Sequence, residues 1–346
     1  MPTIEQIAAL AKVSRSTVSR VLNNHPSVRP VVRDRVLQVM RTYKYVPHAA
    51  AQRLAGSSSH AIGLIIPREA AFLFQDPFFS QLLHGIAERC ADRGYFLTLS
   101  IAGRYGEAST SYDAVLRGKR FDGVIMLSSD MSDAVLPELI RYHMPMVLIG
   151  RHAYAHHLNW VDAENRRGAY EAVSHLVGLG HRRIGLISGP SHMIVNMDRR
   201  DGYRQALMAG GLAIDPQLVV EGDFSQGAGF ELSHRLLDMP QPPTAIFATS
   251  DALALGAIRA IHARGLRIPH DIALVGFDDL PIAEFSDPPL TTVRQPIGEM
   301  SMAAADLLIE QLHRSSVEAR QICLPTELVI RESSGTVRER SVPEGR

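Results

Sequence analysis

The stretch TIEQIAALAKVSRSTVSRVLN, Thr3 to Asn23, determines how the rest of the chain is interpreted. Thr3 stands at an N-cap position and Gln6 follows three residues later, which is the spacing of a capping box ahead of a first short helix. Ser14 offers a second N-cap hydroxyl before residues 15–22. Two short helices joined by a tight turn are the pattern of a DNA-binding helix-turn-helix.

The second of these helices has two chemically different faces. Val18, Val21 and Leu22 form an apolar face that can pack on the first helix. Arg15 lies at the N-terminal end of the other face, where a guanidinium can bond guanine O6 and N7 together. An amphipathic hairpin with a merely solvated polar face would share these features. The predicted DNA contacts in this segment are Thr3, Ser14, Arg15, Ser16, Thr17, Ser19, Arg20 and Asn23.

Composition and charge divide the chain into a small basic head and a larger body. With 346 residues, 46% of them hydrophobic, the chain is long enough for two or three domains with buried cores. The formal net charge is zero, yet residues 1–60 carry nine Lys or Arg against Glu5 and Asp34. A basic excess confined to one module is typical of phosphate contact, so the head is predicted to bind nucleic acid and the body is not.

The cysteines and the lengths of the apolar runs indicate in which cellular compartment the protein is expected. Only Cys90 and Cys323 occur, and Cys90 shares an apolar helical stripe, so buried free thiols are favoured over a disulfide. Met1 leads directly into the capped helix, and no apolar run approaches the ~20 residues of a membrane span. We therefore expect a cytoplasmic protein without membrane contact.

A third helix and a hinge follow the first two helices. Pro30 stands at a plausible first helical position, and Pro47 cannot continue the helix that it ends. Residues 47–56, PHAAAQRLAG, have helical composition but are too few to form a stable helix alone in water. A helix this marginal forms only when something packs on it, so the segment is predicted to couple its folding to binding.

From Ala61 onward the chain alternates strands and helices. Continuous apolar runs such as AIGLII, FDGVIML, TAIFAT and IALVGFDD suit strands of parallel sheets that are covered on both faces. Helical stretches, for example 78–93, 199–211, 252–264 and 297–314, separate them. Two successive sets of this kind predict two α/β lobes.

With head, hinge and two lobes in this order, the chain resembles the LacI/GalR family of bacterial transcription regulators over nearly its whole length. Several independent segments carry the resemblance: VSRSTVSRVLN, YVPHAAAQRLAG, VDAENRRGAYEAVSHLVGLGHRRIGLISGP, RRDGYRQAL, TSDALALGAIRAIHARGLRIP, DIALVGFDDLPIAEFSDPPLTTVRQP and LVIRESS. Any one of these segments is a weak signal, but together they are highly specific.

The resemblance implies a multidomain fold, with an all-α helix-turn-helix headpiece and hinge helix joined to a two-lobed α/β domain like type I periplasmic-binding proteins. The expected bounds are 1–46 for the DNA-binding domain, 47–59 for the hinge and linker, 60–334 for the effector and dimerisation domain and 335–346 for a disordered tail. Within the body, we assign 60–160 and 292–320 to lobe one, and 161–291 and 321–334 to lobe two.

The resemblance also implies a homodimer on a near-palindromic double-stranded operator. In the family, paired hinge helices enter the minor groove and a leucine opens the central base step. Leu54 occupies that position, and Gln52 is predicted to contact DNA beside it. An apolar wedge near the end of a small-residue hinge suits this role. The alternative is that Leu54 packs against its dimer mate or the body.

Three positions depart from the family pattern. Lys12 stands where many relatives have glycine, so a non-glycine residue is expected to hold positive φ in the turn. His48 replaces the common asparagine after the hinge proline and is a poorer N-cap. Val31 and Val32 replace polar residues at the start of helix three, which affects phosphate contacts more than fold.

Candidate effector contacts are carried over one by one. Arg199 matches the family arginine that reaches the ligand, and Asp278, which ends the strand IALVGFD, matches a carboxylate that accepts ligand hydrogen bonds. The carboxyl ends of strands are where open α/β sheets bind ligands. Asp251 is placed similarly, although it can instead cap the helix that begins at Ala252. Arg151 and Asp198 are further candidates.

Aromatic side chains at strand and helix junctions are a second group of candidates. Phe78, Phe79 and Phe224 can each stack on a sugar or a base, and each can equally belong to the core. Met193 and Val195 stand where purine-binding relatives have an arginine and a threonine, which argues against a purine. We therefore expect a sugar or sugar derivative in the cleft, before nucleosides or a protein corepressor.

Two other classes of function compete with a regulator. An enzyme is disfavoured because the chain shows no catalytic motif, and because its fifteen histidines lack metal-ligand spacing; His156 and His157 are simply adjacent. No metal or other cofactor is therefore predicted. A pure solute-binding protein is disfavoured by the basic head and the hinge.

Overall fold

The computed structural model describes residues 2–22, 25–45, 59–66, 73–74, 76–101, 121–127, 130–131, 135–152, 157–314 and 318–335. The chain forms two compact units, Met1–Ala61 and Ile62–Arg346, each built around its own apolar core. The predicted DNA contacts Asn23, Gln52 and Leu54, the hinge residues 47–58 and the tail residues 336–346 lie outside the described residues.

The first unit contains three helices, which we number α1 (Ile4–Leu10), α2 (Arg15–Leu22) and α3 (Pro30–Thr42). The predicted capping box closes α1: the Gln6 amide donates to Thr3 Oγ1 at 3.4 Å, and the Thr3 amide donates to Gln6 Oε1 at 2.8 Å. The core of this unit comprises the buried side chains of Ile7, Ala8, Ala11, Val18, Val21 and Val36. The apolar face predicted for α2 is thus the face that packs.

The second unit alternates strands and helices as predicted. Its strands are β1 (Ala61–Ile66), β2 (Phe96–Ile101), β3 (Gly123–Leu127), β4 (Met146–Ile149), β5 (Asn159–Ala163), β6 (Ile184–Ser188), β7 (Val219–Glu221), β8 (Ala245–Ala248), β9 (Ala273–Asp278), β10 (Thr291–Arg294), β11 (Gln321–Leu324) and β12 (Glu327–Val329). Its helices are α4 (Pro77–Asp92), α5 (Val135–Arg141), α6 (Asn165–Gly178), α7 (Ile194–Ala209), α8 (Gln226–Leu237), α9 (Asp251–Ala263), α10 (Pro281–Glu284) and α11 (Ile297–His313).

These strands form two six-stranded sheets, one in each lobe. The strand order is β11-β5-β4-β3-β1-β2 in the first lobe and β12-β10-β9-β8-β6-β7 in the second. Among the described strands of the second sheet, β12 alone pairs antiparallel, with β10. Each sheet carries its own apolar cluster, so the predicted two-lobed α/β architecture is confirmed.

Strand pairing corrects the lobe boundaries expected from sequence. Residues 292–294, assigned to lobe one, belong to β10, which lies beside β9 in the second sheet. Residues 321–324, assigned to lobe two, form β11, which pairs with β5 in the first sheet. The chain therefore passes between the lobes after β5, after β10 and after β11, as far as the described strands show. Short apolar strands carry no local signal of the sheet that they join, which explains the error.

The two cysteines are free thiols in different environments. Cys90 is buried in the predicted helical stripe, where burial raises its pKa to about 11. Cys323 is exposed, contrary to expectation, because β11 is an edge strand. Among the described helices, none has the length and apolar character needed to cross a membrane.

Candidate functional site

The headpiece presents the predicted polar face of α2 to solvent. Arg15, Ser16 and Arg20 are exposed, and Thr17 and Ser19 are half-buried. The Arg15 guanidinium lies 3.3 Å from Glu5 Oε1, an exposed pair that a phosphate or a base edge can displace because it contributes little. The helix therefore offers donors and acceptors to a partner without unfolding.

A cluster of hydroxyl groups caps the start of α2, and Lys12 in the preceding turn has a strained backbone. Ser14 Oγ accepts a hydrogen bond from the Thr17 amide at 3.1 Å and lies 2.8 Å from both Ser16 Oγ and Thr17 Oγ1. Lys12 has a φ of +53°, as predicted for the residue that replaces glycine in the turn. Ser14 is thus first of all the cap of α2, and its neighbours share that hydroxyl cluster.

In the body, the predicted effector residues gather at the carboxyl ends of the two sheets. Arg151 follows β4 in the first lobe, and Asp278 ends β9 in the second. Asp198 and Arg199 lie in the first half of α7, which belongs to the second lobe. We call this set of side chains and their partners the crevice. Strand ends at such a place are the usual ligand site of open α/β sheets.

Arg199 is the most deeply buried cation of the crevice, at 3% exposure. Its Nε donates to Asn165 Oδ1 at 2.9 Å, and its Nη1 donates to the Thr249 carbonyl. Its guanidinium lies over the Phe277 ring at 3.8 Å from the centroid. Burial lowers the pKa of this guanidinium, while Asp278 and Asp162 oppose the shift. Arg199 is therefore a fixed, pre-oriented donor.

Asp278 faces Arg199 from the end of β9. Its Oδ1 accepts a hydrogen bond from Gln295 Nε2 at 2.6 Å and lies 3.6 Å from Arg199 Nη1. Burial raises the pKa of Asp278 to about 7, with Arg199 opposing the shift and Asp76 adding to it. Because Asp76 caps α4 in the first lobe, this electrostatic contribution comes from the opposite side of the crevice.

A second charged cluster bridges the lobes through Arg151. Its Nη2 donates to Asp198 Oδ2, and its Nε lies 3.3 Å from Asp162 Oδ2. Arg166 lies 3.3 Å from the other Asp198 oxygen. Burial raises the pKa of Asp162 to about 6. Arg151 thus connects a carboxylate of the first sheet with a carboxylate of α7.

Asp251 is fully buried beside Asp278, and it is not the cap of α9, which corrects the capping interpretation offered from sequence. Ser250, not Asp251, caps α9, by accepting from the Leu253 amide at 3.2 Å. Asp251 has no exposed surface, and its two oxygens accept from Thr292 Oγ1 at 2.6 Å and from the Leu280 amide at 2.8 Å. Its role is to link strands inside the second lobe.

The three aromatic candidates differ in their surroundings. Phe79 is 5% exposed and belongs to the core cluster of the first lobe, which is the core alternative considered above. Phe78 packs edge-on against it at 5.5 Å and is half-buried. Phe224 is half-buried against the apolar cluster of the second lobe, and its ring leaves no room for a Cβ at Gly189. Phe78 and Phe224 keep a partly open ring.

Sequence reasoning missed four polar crevice residues: Asp76, Asp162, Asn165 and Gln295. Three of them had a usable signal. Asp76 precedes Pro77 at the start of a helix, which is an N-cap pattern. Asp162 and Asn165 lie in a segment quoted for the family resemblance, at a strand-to-helix junction. Gln295 offered no local signal, since only the pairing of β10 with β9 brings it to Asp278.

Comparisons with known proteins bear on the whole chain. Residues 3–48 match the description "Bacterial regulatory proteins, lacI family", and residues 173–334 match "Periplasmic binding protein-like domain". The HTH-type transcriptional regulator CelR of Thermobifida fusca is 36% identical over 334 residues, covering 96% of this chain and 98% of CelR. The HTH-type transcriptional repressor CytR of Escherichia coli K12 is 36% identical over 332 residues, with 96% of both chains covered.

The chain belongs to the LacI family of bacterial transcriptional regulators. A solved CelR–cellobiose complex matches it with a TM-score of 0.77 at 35% identity, covering 96% of this chain and 100% of the other. A Lac repressor dimer bound to operator and the anti-inducer ONPF matches with a TM-score of 0.83 at 30% identity, covering 97% and 99%. This LacI-family chain is accordingly a DNA-binding transcriptional regulator with a periplasmic-binding-protein-like body.

Proposed function

We propose that this LacI-family regulator is a dimeric repressor whose operator binding is controlled by a neutral sugar or sugar derivative held in the crevice. The observation that carries the proposal is the convergence of Arg199, Asp278 and the Arg151 cluster at the carboxyl ends of both sheets. A ligand that contacts both sides of this crevice binds one arrangement of the two lobes more tightly than another. Its binding free energy can therefore shift the equilibrium towards that arrangement.

The chemistry of the crevice favours a polyhydroxylated, uncharged ligand. Buried carboxylates accept hydrogen bonds from hydroxyl groups, and the fixed Arg199 guanidinium donates to hydroxyl or ring oxygens. Asp198 is paired with Arg151 and Arg166, and Asp278 with Arg199, so the site has no surplus of positive charge to attract a phosphate. The half-open Phe78 ring offers an apolar face of the kind that sugars stack on.

Relatives support a carbohydrate without identifying which one. CelR is solved with cellobiose, and a LacI-family regulator from Enterococcus faecium, 28% identical with a TM-score of 0.70, is solved with ribose. A nucleoside or purine effector and a protein corepressor remain the competing proposals. Nucleosides and purines are therefore included in the test below.

The headpiece is proposed to bind a near-palindromic operator through the polar face of α2, with Arg15, Ser16 and Arg20 as its most exposed side chains. In a helix-turn-helix protein this face enters the major groove, and a two-fold dimer meets two half-sites. Leu54 and Gln52 stay predictions for the minor groove.

Exposed apolar side chains on both lobes support the dimer. Ile282, within α10 of the second lobe, is 41% exposed, and Phe285, directly after α10, is 78% exposed. Phe96 is 76% exposed on β2, the edge strand of the first sheet. Large exposed apolar groups on an edge strand and around a short helix are typical of association surfaces. Phe285→Asp is therefore expected to shift sedimentation from dimer to monomer.

A ligand screen on the full-length chain tests the effector proposal. Thermal denaturation is followed with cellobiose, ribose, other mono- and disaccharides, sugar phosphates, nucleosides and purines, and each hit is confirmed by calorimetric titration. A ligand at a hundred times its dissociation constant should stabilise the fold by about 2.7 kcal/mol. Loss of a sugar hit in Arg199→Lys and Asp278→Asn locates it in the crevice. Binding by purines alone refutes the carbohydrate proposal.

A DNA experiment tests the regulator's other half. Duplexes selected from a random pool by the full-length chain are footprinted with and without the confirmed ligand. A protected site with two related half-sites supports the dimeric operator, and release by the ligand supports an induced repressor. A chain lacking residues 1–60 is expected to keep ligand binding and lose protection. A single unpaired half-site contradicts the dimer.

A further inference from the structure

The turn that follows β9 has an unusual backbone. Asp278 has a φ of +124° and Asp279 a φ of +57°, so two consecutive non-glycine residues lie in the left-handed half of backbone space. Residues with a Cβ are rarely found there and persist only where their surroundings fix them. Asp279 is a residue type that tolerates this region, whereas the φ of Asp278 is one that glycine usually adopts.

Two arginines hold Asp279 in this conformation. Its Oδ2 accepts from Arg294 Nε at 2.7 Å, and its Oδ1 accepts from Arg331 Nη2 at 2.7 Å, while the carboxylate itself is only 7% exposed. Arg331 Nη1 also donates to the Leu290 carbonyl at 2.8 Å. Arg294 ends β10 and Arg331 lies just after β12, so the Asp279 carboxylate ties the end of β9 to β10 and to the segment that follows β12.

The residues on either side of Asp279 connect it to the crevice and to the first lobe. Asp278, immediately before it, carries the carboxylate that faces Arg199 and Gln295. Leu280, immediately after it, is 1% exposed and belongs to the apolar cluster of the first lobe, together with Phe79 and Ile297. The Leu280 amide donates to Asp251 Oδ2 at 2.8 Å. One short turn thus joins a crevice carboxylate to an apolar contact between the lobes.

We infer that Asp279 is a positioning residue: held by Arg294 and Arg331, it fixes the strained turn that presents Asp278 to the crevice and seats Leu280 in the first lobe. This inference rests on the proposed function of the crevice as an effector site. Asp279 itself is directed at the two arginines and does not touch the ligand. Arg294 also stands immediately before the segment that crosses to the first lobe after β10, so the same carboxylate anchors the turn and that crossover.

Three substitutions separate the requirements at position 279. Asp279→Asn keeps a residue that accepts positive φ but weakens the pairing with the two arginines. Asp279→Gly removes the pairing and leaves the backbone free to adopt any φ. Arg331→Lys keeps a charge but loses the two-pronged donor geometry. The matched control is Asp215→Asn, because Asp215 likewise pairs with an arginine, Arg183 at 2.9 Å, but lies beside β7, away from the crevice turn.

The first measurement is the affinity of the full-length chain for cellobiose, which is determined by calorimetric titration. Asp279→Gly is expected to bind cellobiose about tenfold to a hundredfold more weakly than wild type, with Asp279→Asn and Arg331→Lys in between. In an Asp278→Asn background, Asp279→Gly should change affinity by less than about twofold, since its effect acts through Asp278. Wild-type affinity in Asp279→Gly, or a full additive loss in the double variant, overturns the inference.

The second measurement needs no ligand. Amide hydrogen exchange of the peptide covering 276–283 is compared between Asp279→Gly and Asp215→Asn, at temperatures equally far below each melting midpoint. Faster exchange confined to that peptide in Asp279→Gly supports the inference, and unchanged exchange overturns it. If wild-type protein ignores cellobiose, the choice of sugar under the proposed function fails, and the exchange result still decides the role of Asp279.

Discussion

At the scale of single residues, burial in the crevice raises the pKa of a carboxyl group so that it titrates near neutral pH. Asp278 is 6% exposed, and burial outweighs the favourable Arg199 charge, so the pKa of Asp278 rises to about 7. Arg199 remains bound among Asn165, the Thr249 carbonyl and the Phe277 ring. A buried charge is costly unless it is paired, so each of these groups depends on the others.

The raised pKa of Asp278 predicts a particular dependence of stability on pH. An unfolded Asp titrates near 3.9, so the folded chain binds this proton more tightly, and the resulting stabilisation is lost as pH rises towards 7. Asp278→Asn cannot ionise. Between pH 4 and 7 the free energy of unfolding of the Asp278→Asn variant should therefore decline less steeply than that of wild type. The difference between the two slopes should be about 1.4 kcal/mol per pH unit. Chemical denaturation at several pH values measures this.

A matched control for that experiment is Asp271→Asn. Asp271 is paired with Arg267, and hydrogen bonds from that residue lower the pKa of Asp271, so the sign of its contribution is opposite. Its substitution should leave the decline between pH 4 and 7 in place. Equal slopes for wild type and Asp278→Asn would contradict the assignment of this proton to Asp278.

Residue-level predictions from sequence succeeded where a family motif fixed the position and failed where a partner is distant in the chain. The motifs RRDGY and IALVGFDD led to Arg199 and Asp278, which the fold brings within 3.6 Å of each other, and their contact with an effector stays a prediction. The capping alternative for Asp251 was wrong, because its partner Thr292 lies 41 residues away, and a Ser-Asp pair before a helix looks like a cap in either register. Local pattern cannot rank two adjacent capping residues.

At the scale of secondary-structure elements, α1 allows stability and DNA contact to be separated at one residue. Thr3 caps α1 through the Gln6 amide and is exposed, and it is also a predicted DNA contact. Thr3→Asp keeps the acceptor and suits the positive end of the helix dipole. It should leave headpiece stability within about 0.5 kcal/mol. Operator affinity should drop, because the new charge faces phosphate; fluorescence anisotropy with a selected duplex measures it.

Thr3→Ala is the companion variant for that test. It removes the cap and should destabilise α1 by about 1 kcal/mol without adding charge. If Thr3→Asp binds the duplex as tightly as wild type in low salt, Thr3 does not lie at the DNA interface. The two variants together show whether the hydroxyl serves the helix, the DNA or both.

Elements with a strong period were predicted well, and elements with a mixed pattern were not. Helices α4, α7, α9 and α11 begin within about five residues of their predicted starts. Strand β5 and helix α6 were not predicted, because NWVDA mixes polar with apolar residues and α6 packs through small side chains such as Gly168 and Ala169. Sheet membership of β10 and β11 is a non-local property, which explains the lobe-boundary error.

At the scale of the whole molecule, charge is partitioned between the two units. Residues 1–60 carry the basic excess and the body carries the compensating acidic one. Operator affinity should therefore fall by about 10³ to 10⁵ between 50 and 200 mM salt if ~6–10 phosphates are contacted. Cellobiose or another crevice ligand should bind with little salt dependence, since its contacts are buried. A weak salt dependence of DNA binding would count against the headpiece as the DNA module.

Arg151 gives the last prediction, because it joins the lobes. Without it, Asp162 stays buried, loses its cation and has a pKa raised further above its present value of about 6. A carboxyl group whose pKa is raised in the folded state lowers the stability of the fold as pH rises from the unfolded-state pKa to the folded-state pKa. Arg151→Met should therefore cost about 1–3 kcal/mol at pH 8 and much less at pH 5, Arg151 being 39% exposed.

The double variant Arg151→Met/Asp162→Asn distinguishes a buried charge from a lost contact between lobes. If the cost arises from the unpaired Asp162, the second substitution restores stability at pH 8 and removes the pH dependence, because no charge is left to desolvate. If the cost arises from the missing tie to Asp198 on α7, the double variant stays destabilised at both pH values, and small-angle scattering should show the ligand-free lobes further apart than in wild type. Because Asp198 retains Arg166 in either case, the comparison isolates the contribution that spans the crevice.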